Sequence, residues 1–539
     1  MKPYYFNLLA IIILCALGAI VYLNSFDNAF QFDDYLSIVQ NPAIKDIAAV
    51  KKIFNFWPTR FITYFSIALN YHFGQLDVVG YHLVNLLIHL GAGILTWWLV
   101  LMTFSTPAMR DDEIAKYAKT IAFFAGAIFI AHPIQTQAIT YVVQRATSLA
   151  GFFYLLSLTF YVKARLSQEE EREAFAWKYY YSGSMLSAII AMFTKEMTVT
   201  LPIMILLYEF YFLRTKKDIV LKQLIPFLCM LFIIPLTMFI TKSVDFVEMR
   251  RTSEIGSNIP SGSYLLTQFK VIITYFRLLF IPVNQNIDYD YPIAKNIMGL
   301  PILASIFVLL LIIIVAIKIF SRRRLISFAI FWFFLTLLPE SSIISIRDVI
   351  AEHRLYLPVV GYSIFLTSAI FYFFRNNGAR VAIIAMSIIV ICYSVLTYAR
   401  NFVWEDGIAL WSDSIRKSPQ KARPYSNRGF AYALENKFDQ AIYDFTRAIQ
   451  IDPNYSEAFN NRGMAYADKG DIANALSDYN MALQQNPKYA EAYYNAAVAY
   501  FLKKDFKKSW EAAHNAERLG RNIDSGFLKR LKEASGREN

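Results

Sequence analysis

An acidic pair, Asp33 and Asp34, lies in a polar stretch after the first apolar run of the chain. Adjacent carboxylates repel each other, which can raise the pKa of one and make it a usable general base. Such a pair can equally hold a divalent cation, and most acidic pairs in loops are simply solvated. The sequence therefore makes both aspartates candidate catalytic residues. No metal ligand is assigned, and a divalent cation stays an open alternative.

Further polar side chains lie near the ends of predicted membrane spans, on the same side as the acidic pair. Ionisable groups at membrane depth cost several kcal/mol unless they are paired or hydrated, so each marks a candidate site. These residues are Arg60, His82, Asn85, His89, His132, Arg145, Lys195, Glu196, Glu352, His353 and Arg354. Arg354, two residues before Tyr356, suits a lipid-linked phosphate, because an arginine stays charged and can bind two oxygens at once.

Two of these groups also have plain structural interpretations. His82, Asn85 and His89 share one helix face, where they could hold a metal or only hydrogen-bond to a neighbouring helix. Lys195 and Glu196 could form nothing more than an ion pair.

The composition indicates that one part of the chain lies in lipid and the other in water. The chain has 539 residues, of which 56% are hydrophobic and 17% charged, whereas soluble proteins carry about 25% charged residues. The shortage of charged residues is concentrated before residue 400. We predict eleven spans, the first a retained signal anchor. They are 6–24, 80–104, 119–132, 147–164, 179–194, 198–213, 224–241, 298–319, 325–339, 357–374 and 380–398.

Short basic loops indicate the orientation of the spans. With a cytoplasmic N-terminus, every short basic cluster falls on the inner side, as the positive-inside rule predicts. The net charge of +12 thus indicates a membrane and not nucleic acid. Eleven spans place the C-terminus outside, together with loops 25–79 and 242–297. Segment 264–281 is interrupted by polar residues, and we predict an interfacial helix there instead of a twelfth span.

The last quarter of the chain is repetitive. Asn427, Asn461 and Asn495 are 34 residues apart, and a Gly, Tyr, Ala, aromatic, Ala, Pro pattern with the same period is typical of tetratricopeptide (TPR) repeats. We predict a transmembrane domain over 1–400, a linker with a degenerate half-repeat over 401–423, TPR repeats over 424–520 and a cap over 521–539. The asparagines could bind an acceptor or partner protein. A spacer or oligomerisation module is the alternative.

Short motifs extend the pattern along the whole chain. They are Phe32-Asp33-Asp34, Gly80-Tyr81-His82-Leu83-Val84-Asn85, His132-Pro133 with Arg145, Lys195-Glu196, and Arg354-Leu355-Tyr356-Leu357-Pro358. Their order, followed by TPR repeats, resembles the transmembrane-and-TPR family of O-mannosyltransferases and its bacterial relatives. The resemblance implies an all-α protein: a GT-C membrane domain of about eleven helices followed by a TPR α-solenoid.

The resemblance also implies an activity. A sugar would pass, with inversion, from a polyprenyl-phosphate-linked donor to a Ser or Thr hydroxyl of an exported protein, with Asp33 or Asp34 as the base. The expected phosphate-binding residues are Arg354, His353, Arg60, Arg145 and Lys195. The expected supporting residues are Glu196, Glu352, Tyr356, His82, Asn85 and His132. The expected location is a bacterial plasma membrane, with the TPR array in the periplasm.

Two other classes of protein remain open from the residues alone. One is a non-catalytic, membrane-anchored TPR scaffold for envelope or pilus assembly. The other is a transporter for a lipid-linked sugar, which would need charged residues deeper in the cytoplasmic half of the membrane. The acidic pair separates these classes, because only an enzyme depends on its carboxylates.

Overall fold

A computed structural model describes residues 3–169, 176–213, 217–241, 259–342, 344–376 and 378–536. The described residues form helices joined by loops and contain no β-strand, which confirms the predicted all-α class. Two compact units divide the chain. The membrane unit comprises Met1–Ile287 and Tyr291–Glu405, and the repeat unit comprises Asp288–Asp290 and Asp406–Asn539. Of the predicted loop 242–297, residues 242–258 lie outside the described residues, as do 537–539 of the predicted cap.

The α-helices described in the membrane unit are numbered in chain order. They are α1 (Pro3–Val21), α2 (Val50–Phe56), α3 (Phe61–Gly74), α4 (Val78–Thr103), α5 (Ala118–Ala131), α6 (Thr136–Ile139), α7 (Arg145–Glu169), α8 (Ala176–Met192), α9 (Leu201–Tyr208), α10 (Lys217–Cys229), α11 (Ile233–Thr241), α12 (Ser261–Phe280), α13 (Leu300–Ile319), α14 (Arg324–Leu337), α15 (Pro358–Phe373) and α16 (Ala379–Asn401).

The membrane unit is built from apolar helices. Within the described ranges, six helical segments are long and apolar enough to cross a bilayer, and a seventh joins them if the bent pair Ala115–Ala131 and Pro133–Ile139 is one span. Three shorter apolar helices, Tyr5–Val21, Arg324–Leu337 and Pro358–Phe373, accompany them. Each of the eleven predicted segments is largely helical, and 179–194 overlaps α8, which ends at Met192. The count of eleven spans stays a prediction.

Helix α12 matches the predicted interfacial segment and does not qualify as a span among the described helices. Two of its polar side chains point into the protein: Gln268 donates to the carbonyl of Val349 (2.9 Å) and Tyr275 to that of Ala351 (3.0 Å). Arg277 is exposed. Helix α12 therefore fixes the backbone that leads to Glu352–Leu355, the short 3-10 helix of the site.

The repeat unit consists of helix pairs and a terminal helix. Its helices are α17 (Gly407–Lys417), α18 (Ala422–Leu434), α19 (Phe438–Ile451), α20 (Ser456–Asp468), α21 (Ile472–Gln485), α22 (Ala490–Leu502), α23 (Phe506–Arg518) and α24 (Ser525–Ser535). Helix α17 occupies the predicted half-repeat. Arg428 binds Ser412 of this helix (3.2 Å), as Arg462 binds Thr446 one repeat later (3.0 Å).

In each repeat, a small residue on the first helix allows that helix to pack closely against the second helix. A Cβ added at Gly463 would lie 2.7 Å from the Tyr479 ring and 3.1 Å from the Ala475 carbonyl. The third repeat has Ala497 at this position, and there Ala513 replaces the aromatic residue. A methyl group is thus accommodated only where the opposite side chain is small.

We expect Gly463→Ala to lower the free energy of unfolding by about 1–3 kcal/mol, because the tyrosine ring must shift. Chemical denaturation followed by circular dichroism of the full chain measures this. In a Tyr479→Ala background the same change should cost much less. Equal costs in both backgrounds would contradict the packing explanation.

Candidate functional site

A polar cavity of about 570 Å³ lies in the membrane unit and collects residues from distant parts of the chain. Its lining residues are Asp33, Leu36, Ser37, Phe56, Trp57, Arg60, Tyr64, Val143, Gln144, Ala146, Lys195, Glu340, Ile346, His353 and Arg354. Five of the predicted site residues therefore meet in one space, although more than 300 positions separate the first from the last.

The two aspartates of the acidic pair have different environments. Phe32 has a φ of +45°, a left-handed conformation that costs a non-glycine residue about 1–2 kcal/mol. Beyond this turn, Asp34 is fully buried and accepts hydrogen bonds from the backbone N–H groups of Gln31 (2.9 Å) and Val143 (2.7 Å). Asp33 is exposed to the cavity, and its N–H donates to the hydroxyl of Tyr141 (2.9 Å). Asp34 thus anchors the loop, and Asp33 presents a carboxylate to the cavity.

The buried carboxyl of Asp34 predicts a pH dependence of stability. Burial raises the pKa of Asp34 to about 7, against the opposing effect of its two backbone N–H donors. The native state therefore holds this proton more tightly than the unfolded chain, whose aspartates titrate near 3.9. The stabilisation is complete below about pH 4 and is lost as the pH rises through 7.

We expect the difference in unfolding free energy between the native chain and Asp34→Asn to fall from pH 5 to pH 8, on the order of a few kcal/mol. Thermal unfolding in detergent at both pH values measures it, with the exposed Asp27→Asn as the control. An identical difference at pH 5 and pH 8 would exclude a raised pKa.

Two of the cavity cations are paired with carboxylates. Arg60 binds Glu196 in a bidentate manner (2.9 and 3.2 Å), and the hydroxyl of Thr59 donates to the same carboxylate (2.6 Å). Lys195 contacts Glu340 (3.0 Å) and donates to Thr147 (2.8 Å). Burial raises the pKa of Glu340, but Lys195 and the other cations outweigh this effect and keep the pKa below its ordinary value. Glu340 is therefore a carboxylate where it faces Lys195.

Arg354 differs from the other cations because its hydrogen bonds within the described structure go to neutral acceptors. Its guanidinium donates to the carbonyls of Asp348 (2.6 Å) and Val349 (3.2 Å) and to the hydroxyl of Tyr264 (3.4 Å). Burial and the neighbouring cations, Lys195 first among them, hold the pKa of His353 well below its ordinary value. His353 is neutral and can contribute a hydrogen bond but no charge. Among the three cavity cations, Arg354 is the one without a hydrogen bond to a carboxylate within the described structure, although Glu340 and Asp348 act on its charge from nearby.

Sequence reasoning missed Glu340 as a cavity residue. It comes three residues after the end of the apolar helix α14 and directly after the predicted span 325–339, so an acidic side chain at a predicted span end was the available signal. Only the fold shows that it lies opposite Lys195 and not beside the lipid.

Arg145, expected to bind phosphate, does not line the cavity. It is fully buried and donates to the side chains of Asn85 (2.6 Å) and Asn70 (2.5 Å) and to the carbonyls of Ser66 (3.1 Å) and Tyr81 (3.1 Å). Its guanidinium connects helix α7 to helices α3 and α4.

The remaining supporting residues do not line the cavity. They form hydrogen bonds between segments of the membrane unit. Glu352 accepts from Gln285 (3.0 Å) and from the N–H of Asn286 (2.6 Å). His82 contacts the carbonyl of Asn28 (2.9 Å).

Two further buried contacts complete this set. His132 contacts the carbonyl of Leu279 (2.9 Å), and the hydroxyl of Tyr356 lies 3.1 Å from Nδ1 of His89. Each contact fastens one segment of the bundle to another. In the described part of the chain, no three His, Cys, Asp or Glu side chains group as metal ligands would.

The predicted partner-binding asparagines belong to the repeat unit. Asn460 links two of them: its amide donates to Asn461 (3.3 Å) and accepts from Asn495 (3.0 Å). Asn427 lies one repeat earlier, and its Nδ2 is shielded from solvent with no hydrogen-bond acceptor in the described structure.

These features define a multi-pass membrane protein with a polar, charged cavity and a C-terminal TPR array. The tetratricopeptide repeat family matches residues 422–455 and 456–489. The similar proteins include protein O-mannosyl-transferase F38B6.6 of Caenorhabditis elegans, 26% identical, which covers 78% of this chain and 59% of that protein. Drosophila melanogaster Tmtc3 is 25% identical (82% and 55%), and Homo sapiens TMTC3 is 22% identical (82% and 51%).

The chain is thus similar to protein O-mannosyl-transferases of the TMTC family, and its C-terminal part carries TPR repeats, which confirms the predicted resemblance to that family. The bacterial origin stays a prediction. The chain spans 51–59% of the length of these three relatives. Among solved structures it is similar to the first TPR of Spaghetti (RPAP3) bound to an HSP90 peptide, with 27% identity, 22% of this chain and 92% of that chain covered, and a TM-score of 0.21. The TPR protein YrrB is 17% identical (40% and 97%), with a TM-score of 0.22.

Proposed function

We propose that the protein transfers a sugar from a polyprenyl-phosphate-linked donor to a Ser or Thr hydroxyl of a protein, with inversion at the anomeric carbon. The observation that carries this proposal is the shared cavity, in which the exposed carboxylate of Asp33 and the guanidinium of Arg354 line one space of about 570 Å³. The homology to protein O-mannosyl-transferases supports the reaction class.

The groups of the cavity supply the steps of such a transfer. The acceptor hydroxyl gives its proton to Asp33 as its oxygen bonds to the anomeric carbon. The bond from that carbon to the phosphate oxygen breaks on the opposite face, and its electron pair stays on the phosphate. Arg354 stabilises the developing charge, because its own hydrogen bonds go to neutral groups. Lys195 and Arg60 add positive potential, which Glu340 and Glu196 reduce.

A second cavity supports a lipid-linked donor. It has a volume of about 510 Å³, is almost entirely apolar, and lies between helices α12, α13, α14 and α15. Helix α12 connects the two spaces: the hydroxyl of Tyr264 donates to the carbonyl of Glu340 (3.0 Å), and Phe276 lines the apolar cavity. Twelve helical residues separate them, which corresponds to about 18 Å. A phosphate at Arg354 could therefore have its isoprenoid chain in apolar surroundings.

The proposal places the polar cavity and the TPR array on the same, non-cytoplasmic side, in the periplasm if the membrane is a bacterial plasma membrane. The basic short loops support this orientation. The TPR array would then deliver the acceptor protein. Protease accessibility of the array in sealed, right-side-out vesicles measures the orientation, and digestion only after lysis would contradict it.

The test of the function is mass spectrometry of envelope proteins from cells with and without the chain. The expected result is the loss of a Ser- or Thr-linked sugar from at least one exported protein in the deleted strain, restored by the wild-type chain and not by Asp33→Asn. Identical glycosylation in both strains would favour a membrane-anchored scaffold.

A further inference from the structure

Three large apolar side chains are exposed in the lining of the polar cavity. They are Leu36, which is 70% exposed, Phe56, which is 42% exposed, and Trp57, which is 39% exposed. We call these three side chains the apolar wall. The transfer as proposed gives no role to any of them. Exposed apolar groups grouped inside a polar cavity mark a surface that a ligand covers.

Buried neighbours along the chain fix the direction of the apolar wall. Leu36 lies in the π-helix Tyr35–Val39, whose Ile38 is fully buried. Phe56 ends helix α2, whose Ile53 is fully buried in the same hydrophobic cluster as Ile38. Because each segment is anchored in this cluster by its isoleucine, Leu36 and Phe56 are left outside it and face the cavity.

Tyr64 connects the apolar wall to the segment that carries the proposed base. Its ring meets that of Phe56 edge-on, with 4.8 Å between the ring centroids, and stacks with that of Trp57 at 6.3 Å. Its hydroxyl is hydrogen-bonded to the side chain of Ser37, and Asp33 is close enough for its charge to act on that hydroxyl. The apolar wall and the proposed base are therefore grouped around one tyrosine.

The cations of the cavity belong to a separate group. Burial raises the pKa of Glu340, and the charges of Lys195, Arg354 and Arg60 lower it, so these four side chains lie together. The guanidinium of Arg60 also lies 4.2 Å from the centroid of the Trp57 ring. The donor phosphate belongs to this cationic group in the proposed function, which leaves the more exposed part of the apolar wall to the acceptor.

An acceptor residue at Asp33 brings its neighbours to the apolar wall. The acceptor hydroxyl must come within about 2.6–3.2 Å of the carboxylate. In an extended segment, the residues two positions before and after the acceptor point to the same side, about 6.6 Å further along. Leu36 follows Asp33 by three residues and is exposed there. An apolar side chain is stabilised against this surface, whereas a polar one loses its hydration.

We propose that the apolar wall determines acceptor specificity, and that it selects a Ser or Thr with a large apolar residue two positions away in an extended segment. Leu36 and Phe56 are the main specificity-determining residues. This inference rests on the proposed function, in which Asp33 takes the proton of the acceptor hydroxyl.

The experiment compares two acceptor peptides with the full-length protein in detergent and a polyprenyl-phosphate donor. The first peptide is a heptapeptide with a central threonine, leucine two positions away on each side and glycine elsewhere. The second peptide has glutamine in place of each leucine. We expect kcat/KM for the leucine peptide to be about tenfold higher, mainly through a lower KM, because the contact lies away from the reacting atoms.

Two variants test whether the apolar wall causes this preference. In the double variant Leu36→Gln, Phe56→Gln the ratio of the two kcat/KM values should fall from about ten to about one. Leu23→Gln is the matched control, because Leu23 is 66% exposed and does not line the cavity. Its ratio should stay near ten. A general loss of folded protein would lower both rates and leave the ratio unchanged.

Equal rates for the two peptides in the native chain would overturn the inference, as would a ratio near ten in the double variant. A double variant that raises KM for the donor and keeps the ratio would show that the wall contacts the sugar or the isoprenoid instead. Transfer that depends on Asp33 without a peptide preference contradicts the inference alone.

Peptide binding separates the inference from the proposed function. Fluorescence anisotropy with fluorescein-labelled forms of both peptides measures it on the same preparations. If no sugar is transferred, but the leucine peptide binds about tenfold more tightly and the double variant alone loses this difference, the wall is supported and the function is contradicted. Absence of both transfer and binding preference contradicts both.

Discussion

Asp33→Asn is expected to reduce sugar transfer by about a hundred- to ten-thousand-fold, the usual contribution of a general base. An asparagine fills the same space and keeps the backbone N–H that donates to Tyr141, but its amide cannot take a proton at neutral pH. The fold should change little, because Asp33 is exposed to the cavity and the amide oxygen of asparagine can still accept the hydrogen bond that the side chain shares with Tyr141. Transfer of labelled sugar from a polyprenyl-phosphate donor to a Ser/Thr peptide, with the enzyme in detergent, measures the effect.

Two further variants serve as controls for Asp33→Asn. Asp27→Asn changes an exposed aspartate of the same loop and should retain full transfer. Asp33→Glu keeps a carboxylate but moves it, so a partial activity is expected. Full activity in Asp33→Asn would show that this residue is not the base.

Arg354→Met is expected to lower kcat/KM for the donor by about a hundred- to a thousand-fold. A buried, charge-assisted hydrogen bond to an anion contributes several kcal/mol when its partner is removed. The loss should exceed that of Arg60→Met, since the charge of Arg60 is already paired with Glu196. Steady-state kinetics with varied donor concentration measures both variants.

The controls for Arg354 separate phosphate binding from folding. Arg347→Met removes an exposed arginine of the same loop and should change little. Arg354→Lys keeps the charge but loses the fixed fork of donors, so it should fall between the native chain and Arg354→Met. The melting temperature of each variant is measured as well. If the loss of transfer in Arg354→Met is explained by a loss of folded protein, the role of Arg354 is structural.

The candidate site divides into residues that the sequence could predict and residues that it could not. Asp33, Arg60, Lys195, His353 and Arg354 were predicted, because charged groups near apolar segments are costly unless they have a function or a partner. The same argument selected residues that prove to be internal ties. A periodic pattern predicts that a side chain lies on a helix, but it does not predict whether that side chain faces the cavity or a neighbouring helix.

Arg145 and Glu340 illustrate this limit in opposite directions. Arg145 has the chemistry of a phosphate ligand, yet four acceptors inside the bundle use its guanidinium. Glu340 has the chemistry of a solvated loop residue, yet it lies in the cavity beside Lys195. The acceptors of Arg145 lie 60–79 residues before it in the chain, and no local signal indicates that they meet it.

The sequence by itself determined the helical class, the membrane character of the first 400 residues and the period of the repeats. These properties depend on hydropathy and on spacing along the chain, which are local. The tertiary structure decided which aspartate of the pair is buried and which cation keeps its charge available. Those outcomes depend on contacts between segments that are not neighbours in the sequence, such as Asp34 with Val143 and Arg354 with Tyr264, where burial and pairing fix the electrostatics of each group.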